Sequence, residues 1–317
     1  MRIVLLNSFT AEQGAGWPEL AALGEVVDHA RSRPEEVAAR ATGATALITN
    51  KAVLDSELIP ALPELKYIGV SATGTNIVDL AAARARGVAV TNVPGYSTES
   101  VAQLVFACLL HFAVDVAGHD AAVKAGAWAA SADFCFTLRP LTELRGKTLV
   151  IIGQGAIGGA VARIGRGFGM NVIAAAVPGR PTAERVPLAE ALPQADFVTL
   201  HCPLTSHTDR LVDPRFLAQL RPGALLINTS RGGLVDNAAL VQALAAGRLG
   251  GVALDVLSRE PPPADHPLTN PAAPWASRVV VTPHLAWATV EARARLRREV
   301  AENLAAFLRG EARNRVA

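Results

Sequence analysis

Short apolar runs alternate along this chain with stretches whose apolar residues recur at helical spacing. In the first hundred residues the apolar runs predict strands at 2–7, 46–49, 66–70 and 88–91. The stretches between them predict helical segments at 18–23, 34–40 and 79–86 and a single helical turn at 54–58. Strands that alternate with helices predict βαβ units and a parallel sheet, so this block belongs to the α/β class.

The pattern changes near residue 98, where one long helical run is predicted over 98–123 and a loop-like segment over 125–145. The alternation then resumes. The predicted strands of this second block are 148–152, 171–176, 197–200, 224–228, 251–254 and 279–281. The predicted helices are 188–192, 214–220, 237–245 and 289–309. The chain therefore contains two α/β blocks.

A glycine-rich turn follows the first strand of the second block. Gly153, Gly155 and Gly158 stand in a GxGxxG spacing between a buried strand and a helix, which is the context of a dinucleotide-binding turn. The first glycine allows the tight turn, the second leaves room for a pyrophosphate and the third lets helix and strand pack closely. The first helical residues, Ala156 and Ile157, would present backbone amides to the phosphates. The alternative is a βα turn whose glycines serve packing alone.

Polar residues that follow the later strands are candidates for chemistry, because parallel sheets bind ligands at the carboxyl ends of their strands. Arg231 lies between small residues, and its planar guanidinium suits a carboxylate. His284, which follows Pro283, can act as an acid or base near neutral pH. A carboxylate such as Glu260 would orient this ring and favour its protonated form. Each of these residues alone could have a structural role, but a purely structural explanation is weaker for the three together.

Composition narrows the function classes. The chain has 317 residues, of which 50% are hydrophobic, and a net charge of +2, which does not favour a nucleic-acid partner. Four arginines in 293–298 alternate with apolar residues and fit a solvated helix face. Three widely spaced cysteines argue against a disulfide framework and a zinc site. No signal peptide or membrane span is recognisable, so a cytoplasmic protein without a metal is expected.

At this point the sequence resembles the D-isomer-specific 2-hydroxyacid dehydrogenase family. The matching motifs are VIIGQGAIGGAVA, LHCPLT, INTSRGGLVD, ALDVLSREPPP, VTPHLAWAT and ATGTNIVDLAAARARGVAVTNVPGYSTESVAQ, and they span nearly the whole chain. The likeness is greatest to the glycerate dehydrogenase, or hydroxypyruvate reductase, branch. The segments ITNKAVLD, SATGTN, SADFCF and HLAW indicate that branch.

The resemblance implies two Rossmann-like domains with parallel sheets, one flavodoxin-like and one that binds a dinucleotide. The nucleotide domain, 101–285, would be inserted into a substrate domain formed by 1–100 and 286–317. Family members are commonly homodimers held through the nucleotide domain and its arm, here 125–145. Trp128, Phe134 and Phe136 lie in that arm and are candidates for a subunit contact.

The resemblance also assigns roles to matching residues. Arg231 would bind the carboxylate and carbonyl oxygen of the substrate, His284 would donate a proton to that oxygen, and Glu260 would hold His284. Further substrate-binding residues would be Asn50, Lys51, Ala72, Thr73, Gly74 and Trp287. The cofactor would be lined by Cys202, Pro203, Thr208, Thr229, Ser230 and Asp255, with Arg231 and His284 beside it.

One departure from the dinucleotide fingerprint concerns cofactor choice. An acidic residue is expected at the end of the second strand, where it binds the ribose 2′-hydroxyl of NAD. Here that strand runs into AAAVPGR without a carboxylate. Arg180 could pair with a 2′-phosphate. The sequence therefore predicts that NADPH is accepted and that selectivity for NAD is relaxed.

The expected reaction is reduction of hydroxypyruvate or glyoxylate to a D-2-hydroxy acid by NAD(P)H. Lactate, branched or phosphoglycerate-type acids remain alternatives. No large basic cluster and no regulatory domain are recognisable in the sequence, and both observations argue against a phosphoglycerate-type substrate. Formate and phosphite oxidation share the architecture. A nucleotide-sensing corepressor on the same fold is an alternative of another class, and the Arg231, Glu260 and His284 set counts against it.

Overall fold

A computed structural model of the chain describes residues 1–12, 14–180 and 184–317. Short strands, most of them buried, form the frame of the molecule. They are β1 Arg2–Leu5, β2 Glu25–Asp28, β3 Ala46–Thr49, β4 Tyr67–Val70, β5 Ala89–Thr91, β6 Thr148–Ile152, β7 Asn171–Ala175, β8 Phe197–Leu200, β9 Leu225–Asn228, β10 Gly251–Leu254 and β11 Val279–Val281.

Helices connect these strands. They are α1 Phe9–Glu12, α2 Pro18–Ala21, α3 Pro34–Ala41, α4 Leu80–Ala85, α5 Thr98–Val114, α6 Val116–Lys124, α7 Ala156–Gly167, α8 Leu188–Ala191, α9 Pro214–Gln219, α10 Asn237–Ala245 and α11 Val290–Leu308. Asp79, Asp213 and Asp236 cap the first turns of α4, α9 and α10 by accepting backbone N–H groups, which satisfies donors that the helix leaves unpaired.

The chain divides into two compact units, one of Met1–Ser97 with Ala288–Ala317 and one of Thr98–Trp287. In the first unit the strands form a parallel sheet in the order β2-β1-β3-β4-β5. Its core is aliphatic and includes Leu47 and Ile68, both fully buried. Helix α11 packs near β4, where the rings of Tyr67 and Phe307 lie 5.1 Å apart.

The second unit contains a six-stranded parallel sheet in the order β11-β10-β9-β8-β6-β7. Every pairing in it is parallel, so the carboxyl ends of all six strands lie along one edge. Strands β8 and β10 are buried along their whole length. This explains their continuous apolar sequence, because helices cover both faces of such sheets. The expected class, α/β with two parallel sheets, is confirmed.

The prediction of one long helix over 98–123 is wrong. Asp115 adopts a left-handed conformation with φ 51° and separates α5 from α6, which are bent by 53° relative to each other. Its side chain accepts the amide of Gly118 and so begins the second helix. The apolar periodicity continues through this break, and an aspartate tolerates the left-handed region better than most residues do.

Two smaller differences lie in the first unit. The helical turn predicted at 54–58 begins only at Asp55, whose carbonyl accepts the amide of Ile59 at 3.2 Å, because Leu54 forms a parallel bridge with Val78. Strand β2 was not predicted, since its four residues alternate too briefly to give a pattern. Within the described ranges no single helix is long and apolar enough to cross a membrane, although α5 and α6 pass that test when taken together.

Candidate active site

The loop after β9 holds Arg231 through a buried asparagine. Asn228, fully buried at the end of the strand, donates to the carbonyl oxygen of Arg231 at 2.8 Å and accepts the amide of Ser230 at 3.0 Å. The hydroxyl of Ser230 in turn donates to the carbonyl of Cys202 at 2.8 Å. A side chain at Gly232 would overlap the backbone of Leu257, so this loop packs directly against the loop after β10.

The loops after β10 and β11 bring Glu260 and His284 together. Nδ1 of His284 lies 2.6 Å from Oε2 of Glu260, and Oε1 of Glu260 accepts the amide of Leu257 at 3.0 Å. Both side chains are about one third exposed. Because the carboxylate accepts from Nδ1, the other ring nitrogen, Nε2, is left to face a ligand. His284 has a φ of 51°, a backbone conformation that a surrounding structure must enforce.

Asp255 supplies that enforcement. Its Oδ1 accepts the hydroxyl of Thr282 at 2.6 Å and the amide of Leu285 at 2.9 Å, and its Oδ2 accepts the amide of Ala286 at 2.9 Å. The residue is 3% exposed, and burial raises the pKa of its carboxyl against the opposing effect of these hydrogen bonds. Both oxygens thus hold the segment that carries His284. The place of Asp255 in the lining of the cofactor, which the resemblance implies, stays a prediction.

The glycine turn after β6 has the shape that a dinucleotide requires. Gly153 has φ 97°, and a Cβ there would lie 2.5 Å from the amide nitrogen of Cys202. A Cβ at Gly158 would overlap the carbonyl oxygen of Gly153, so helix and turn touch there. A Cβ at Gly155 would meet no atom within 4 Å, which leaves space above the start of α7 at Ala156 and Ile157. These residues fit a bound pyrophosphate.

Residues after β8 and β9 complete the edge of the sheet beside this turn. The thiol of Cys202 is buried, and burial raises its pKa to about 11. Pro203 follows it and is exposed, and its carbonyl accepts the hydroxyl of Thr208 at 2.7 Å. The hydroxyl of Thr208 therefore donates its hydrogen bond within its own turn. The hydroxyl oxygen of Thr229 is buried and has no partner among the described residues, which suits a donor or acceptor on a bound cofactor.

Two arginines lie near the end of β7, where the adenosine ribose of a dinucleotide binds in folds of this kind. Arg180 is exposed, and its charge lowers the pKa of the Cys202 thiol, against the larger effect of burial. Val186 pairs with the end of β7 through Ala175, which places the preceding residue, Arg185, beside this strand end. The guanidinium of Arg185 donates to the side chain of Gln154, inside the glycine turn.

The predicted substrate residues of the first unit lie around one loop after β4. Among the described residues, the amides of Ala72, Thr73 and Gly74 donate no hydrogen bond. Asn50 donates to the carbonyl of Ser71 at 3.1 Å, so its side chain supports the loop. Lys51 is exposed. Trp287 belongs to the second unit and is half-buried.

Sequence reasoning missed the supporting role of Asn228 and of the Asp255 oxygens. The available signal for Asn228 was a polar residue at the end of an otherwise apolar strand. Asp255 had the same signal, but its three donors come from a segment some 30 residues later. No cluster of three or more His, Cys, Asp or Glu side chains suited to a metal ion occurs within the described part of the chain.

Comparison with known proteins identifies the family of the chain. Residues 106–286 match the family described as D-isomer specific 2-hydroxyacid dehydrogenase, NAD binding domain. The chain is 38% identical over 319 residues to a hydroxypyruvate reductase of Blautia hydrogenotrophica, covering 98% of each chain. It is 38% identical over 281 residues to a glycerate dehydrogenase of Methylorubrum extorquens, covering 89% of this chain and 88% of that one.

A solved structure extends the likeness to three dimensions. The NADPH-dependent glyoxylate/hydroxypyruvate reductase of Sinorhizobium meliloti, determined with NADP and malonate, superposes with a TM-score of 0.82 at 30% identity. The match covers 100% of this chain and 96% of that structure. The glycine turn and the polar residues at the strand ends lie inside the range that the family description covers. The chain belongs to the D-isomer-specific 2-hydroxyacid dehydrogenase family.

Proposed function

We propose that this protein reduces small 2-oxo acids, with hydroxypyruvate and glyoxylate as the leading substrates, to D-2-hydroxy acids. The observation that carries the proposal is the pairing of His284 with Glu260 at 2.6 Å beside the loop that holds Arg231. A scaffold that only senses nucleotides has no need of such a pair. The names of the similar proteins, hydroxypyruvate reductase and glycerate dehydrogenase, support this choice of substrates.

His284 is the proton donor in this proposal. Glu260 accepts from Nδ1 and so orients the ring, which leaves Nε2 as the nitrogen available to donate the proton to the carbonyl oxygen of the substrate. A bound nicotinamide supplies the hydride to the carbonyl carbon. Asp255 keeps the backbone of His284 in place through the three hydrogen bonds described above, which limits the reorganisation that proton transfer requires.

Arg231 binds the carboxylate and polarises the carbonyl oxygen. A guanidinium offers several donors in a fixed plane, so it can bind two oxygens of one substrate side by side, a geometry that the single nitrogen of a lysine does not provide. Asn228 and Gly232 fix the backbone on both sides of it. In the first unit, the amides of Ala72, Thr73 and Gly74 are suited to a carboxylate, since backbone N–H groups without partners among the described residues bind anions.

The test of this function is cofactor oxidation against a panel of acids. Purified protein is supplied with NADPH or NADH and with hydroxypyruvate, glyoxylate, pyruvate, a branched 2-oxo acid or phosphohydroxypyruvate. The highest kcat/KM is expected with hydroxypyruvate or glyoxylate, and chiral analysis of the glycerate formed should show the D enantiomer. A preference for a branched or phosphorylated acid would assign the enzyme to another substrate branch of the family. No oxidation of the cofactor with any acid would favour a binding protein.

The proposal includes use of NADPH. Strand β7 ends in alanines, so no carboxylate at that strand end repels a 2′-phosphate, and Arg180 and Arg185 lie beside it. Arginine binds phosphate through charge-assisted hydrogen bonds. The solved Sinorhizobium meliloti enzyme is described as NADPH-dependent, which supports the same choice here. Comparing kcat/KM for NADPH and NADH tests it, and a strong preference for NADH would contradict it.

A homodimer formed through the arm 125–145 is also part of the proposal. Phe134 is 89% exposed and Trp128 is 54% exposed in the single chain, and the indole of Trp128 donates to the carbonyl of Phe134 at 3.0 Å. Large exposed rings on an extension suit a subunit contact. Light scattering should give twice the chain mass, and Phe134→Asp should shift it towards one chain. A monomer in the unaltered protein would refute this arrangement.

A cytoplasmic location is the last part of the proposal. It is expected from the three widely spaced cysteines, all of which are unpaired.

A further inference from the structure

A chain of asparagines runs through the first unit from segment 311–317 to the loop after β4. Asn314 donates through Nδ2 to Oδ1 of Asn303 at 2.9 Å. Asn303 donates through Nδ2 to the carbonyl of Asn92 at 2.9 Å, and Asn92 donates through Nδ2 to the carbonyl of Thr73 at 2.7 Å. Three consecutive hydrogen bonds of normal length thus connect residues that are far apart in sequence.

The middle of this chain is enclosed. Asn303, on α11, is 1% exposed, and both ends of its amide have partners. A buried amide at this position costs free energy unless both ends are satisfied, and an apolar residue would pack on α11 without that requirement. The neighbouring core positions of α11, Val300 and Leu304, are apolar as expected. The asparagine therefore does something there that packing alone does not need.

The receiving end is the loop with the unpartnered amides. The side-chain amide of Asn92 donates to this loop at the carbonyl of Thr73. The hydroxyl of Thr73 donates to the carbonyl of Val93 at 3.0 Å. The amide of Val93 donates to the carbonyl of Ala72 at 2.9 Å. Two hydrogen bonds to the carbonyls of Ala72 and Thr73 and one from the Thr73 hydroxyl thus fix this segment, while its backbone N–H groups donate to no described residue.

The far end is also secured. Asn314 has φ 48°, and its carbonyl accepts the amide of Asn92 at 3.2 Å. Arg315 forms an antiparallel bridge with Thr91, and the amide of Val316 donates to the carbonyl of Val90 at 2.8 Å. Arg84 donates to the carbonyl of Val316 at 2.7 Å. The segment 311–317 therefore extends the edge of the sheet beside β5.

We propose that Asn92, Asn303 and Asn314 are positioning residues for the substrate carboxylate. They hold the loop 72–74 from behind, so that its amides are preorganised before a 2-oxo acid binds. None of the three needs to touch the substrate. The inference rests on the proposed function, because it assigns the loop to the carboxylate. Preorganised donors bind an anion without first paying the entropy of ordering the loop.

The test separates binding of the acid from the other steps. Asn92→Ala removes only the bond to Thr73 and should raise KM for hydroxypyruvate about fivefold, with kcat changed by less than about twofold. The inhibition constant of oxamate, a non-reacting carboxylate, should rise in parallel. The dissociation constant of NADPH, measured by titration calorimetry without substrate, should not change. Asn171→Ala is the matched control, since it removes the same kind of bond, to the carbonyl of Gly146, in the second unit.

Asn303→Ala tests the relay, because the side chain of Asn303 bonds to Asn92 and Asn314 and not to the loop 72–74, and the variant should nevertheless raise KM. The double variant should raise KM by less than the product of the two single effects, since both break one chain of bonds. If Asn303→Ala does not fold, Asn314→Gly replaces it, because glycine keeps the left-handed backbone while removing the donor to Asn303.

The outcomes distinguish this inference from the proposed function. If the unaltered protein fails to oxidise NADPH with every 2-oxo acid tested, the proposed function is refuted. An active protein whose Asn92→Ala and Asn303→Ala variants keep the KM and the oxamate inhibition constant would refute the relay alone. Equal losses in kcat and in NADPH affinity would also refute the relay, since they would indicate a general structural effect.

Discussion

The two ends of the sheet edge in the second unit are built in different ways. At the β9–β11 end, Arg231 and His284 are held by Asn228 and Asp255, which are almost completely buried. At the β7 end, Arg180 is exposed on the surface. In the proposed function, the reaction therefore uses side chains that are fixed from beneath the sheet edge. The proposed selection of the cofactor uses arginines with few such supports, which can change without disturbing the fold.

The largest effect is expected from Arg231→Ala. Two charge-assisted hydrogen bonds of about 2 kcal/mol each would be lost, so kcat/KM for hydroxypyruvate should fall about 10³-fold. Arg231→Lys keeps the charge without the fork and should recover only part of this loss. Steady-state kinetics measures both, with NADPH affinity as the control for folding. A lysine variant with normal kcat/KM would show that the planar fork is not used.

A smaller effect is expected from Glu260→Gln, which keeps the size of the side chain but removes its charge. The ring of His284 then loses its charged partner, so kcat for the reduction of hydroxypyruvate should fall about tenfold. Steady-state kinetics measures this, with the dissociation constant of NADPH as the control. An unchanged kcat would mean that the charge of Glu260 is not used.

His201, which follows β8 between the two ends, affects stability. Burial lowers its pKa from 6.5 to about 3, and its Nε2 lies 2.9 Å from the hydroxyl of Thr199. In the unfolded chain His201 therefore binds a proton below about pH 6.5, whereas in the folded protein it binds one only below about pH 3. The stability this contributes is present above pH 6.5 and is lost as the pH falls, at about 1.4 kcal/mol per pH unit.

Urea unfolding at pH 7.5 and pH 5.5 tests the role of His201. In His201→Asn, which cannot take up a proton, the free energy of unfolding should change by about 1 kcal/mol less between these pH values than in the unaltered protein. Equal pH dependence in the two proteins would show that His201 titrates in the folded state as it does in the unfolded one.

The smallest effect concerns the β7 end. Arg180→Ala and Arg185→Ala should each weaken NADPH binding by about fivefold, because a phosphate contact at an exposed site is screened by solvent. NADH binding should hardly change. Arg166→Ala, an exposed arginine in the last turn of α7, is the charge-matched control. Equal losses for NADPH and NADH would place these arginines away from the 2′-phosphate.

The sequence predicted the order of strands and helices well because buried parallel strands are apolar throughout and their ends are marked by glycine, proline and polar residues. Strand β8 and helix α10 have the predicted bounds. The break at Asp115 was missed because the apolar pattern continues across it, and only one residue changes its backbone conformation.

The site was predicted in part for a related reason. Arg231, Glu260 and His284 each follow a strand, so their spacing places them on one edge. The supports of these residues depend on contacts between distant segments, such as Asp255 with Ala286, which no local pattern records. The same holds for Asn303 and Asn92, which are 211 positions apart. Sequence spacing thus indicates the candidate catalytic residues, and the folded contacts show what holds them.

The most direct test of the account is His284→Ala. Proton donation contributes about 10²–10⁴-fold to catalysis, so reduction of hydroxypyruvate by the variant should be slower by that factor. Titration calorimetry should give an unchanged dissociation constant for NADPH, because the glycine turn and the β7 end are untouched. A variant that binds NADPH normally and turns over hydroxypyruvate near the normal rate would contradict the assignment of the reaction to the β9–β11 end.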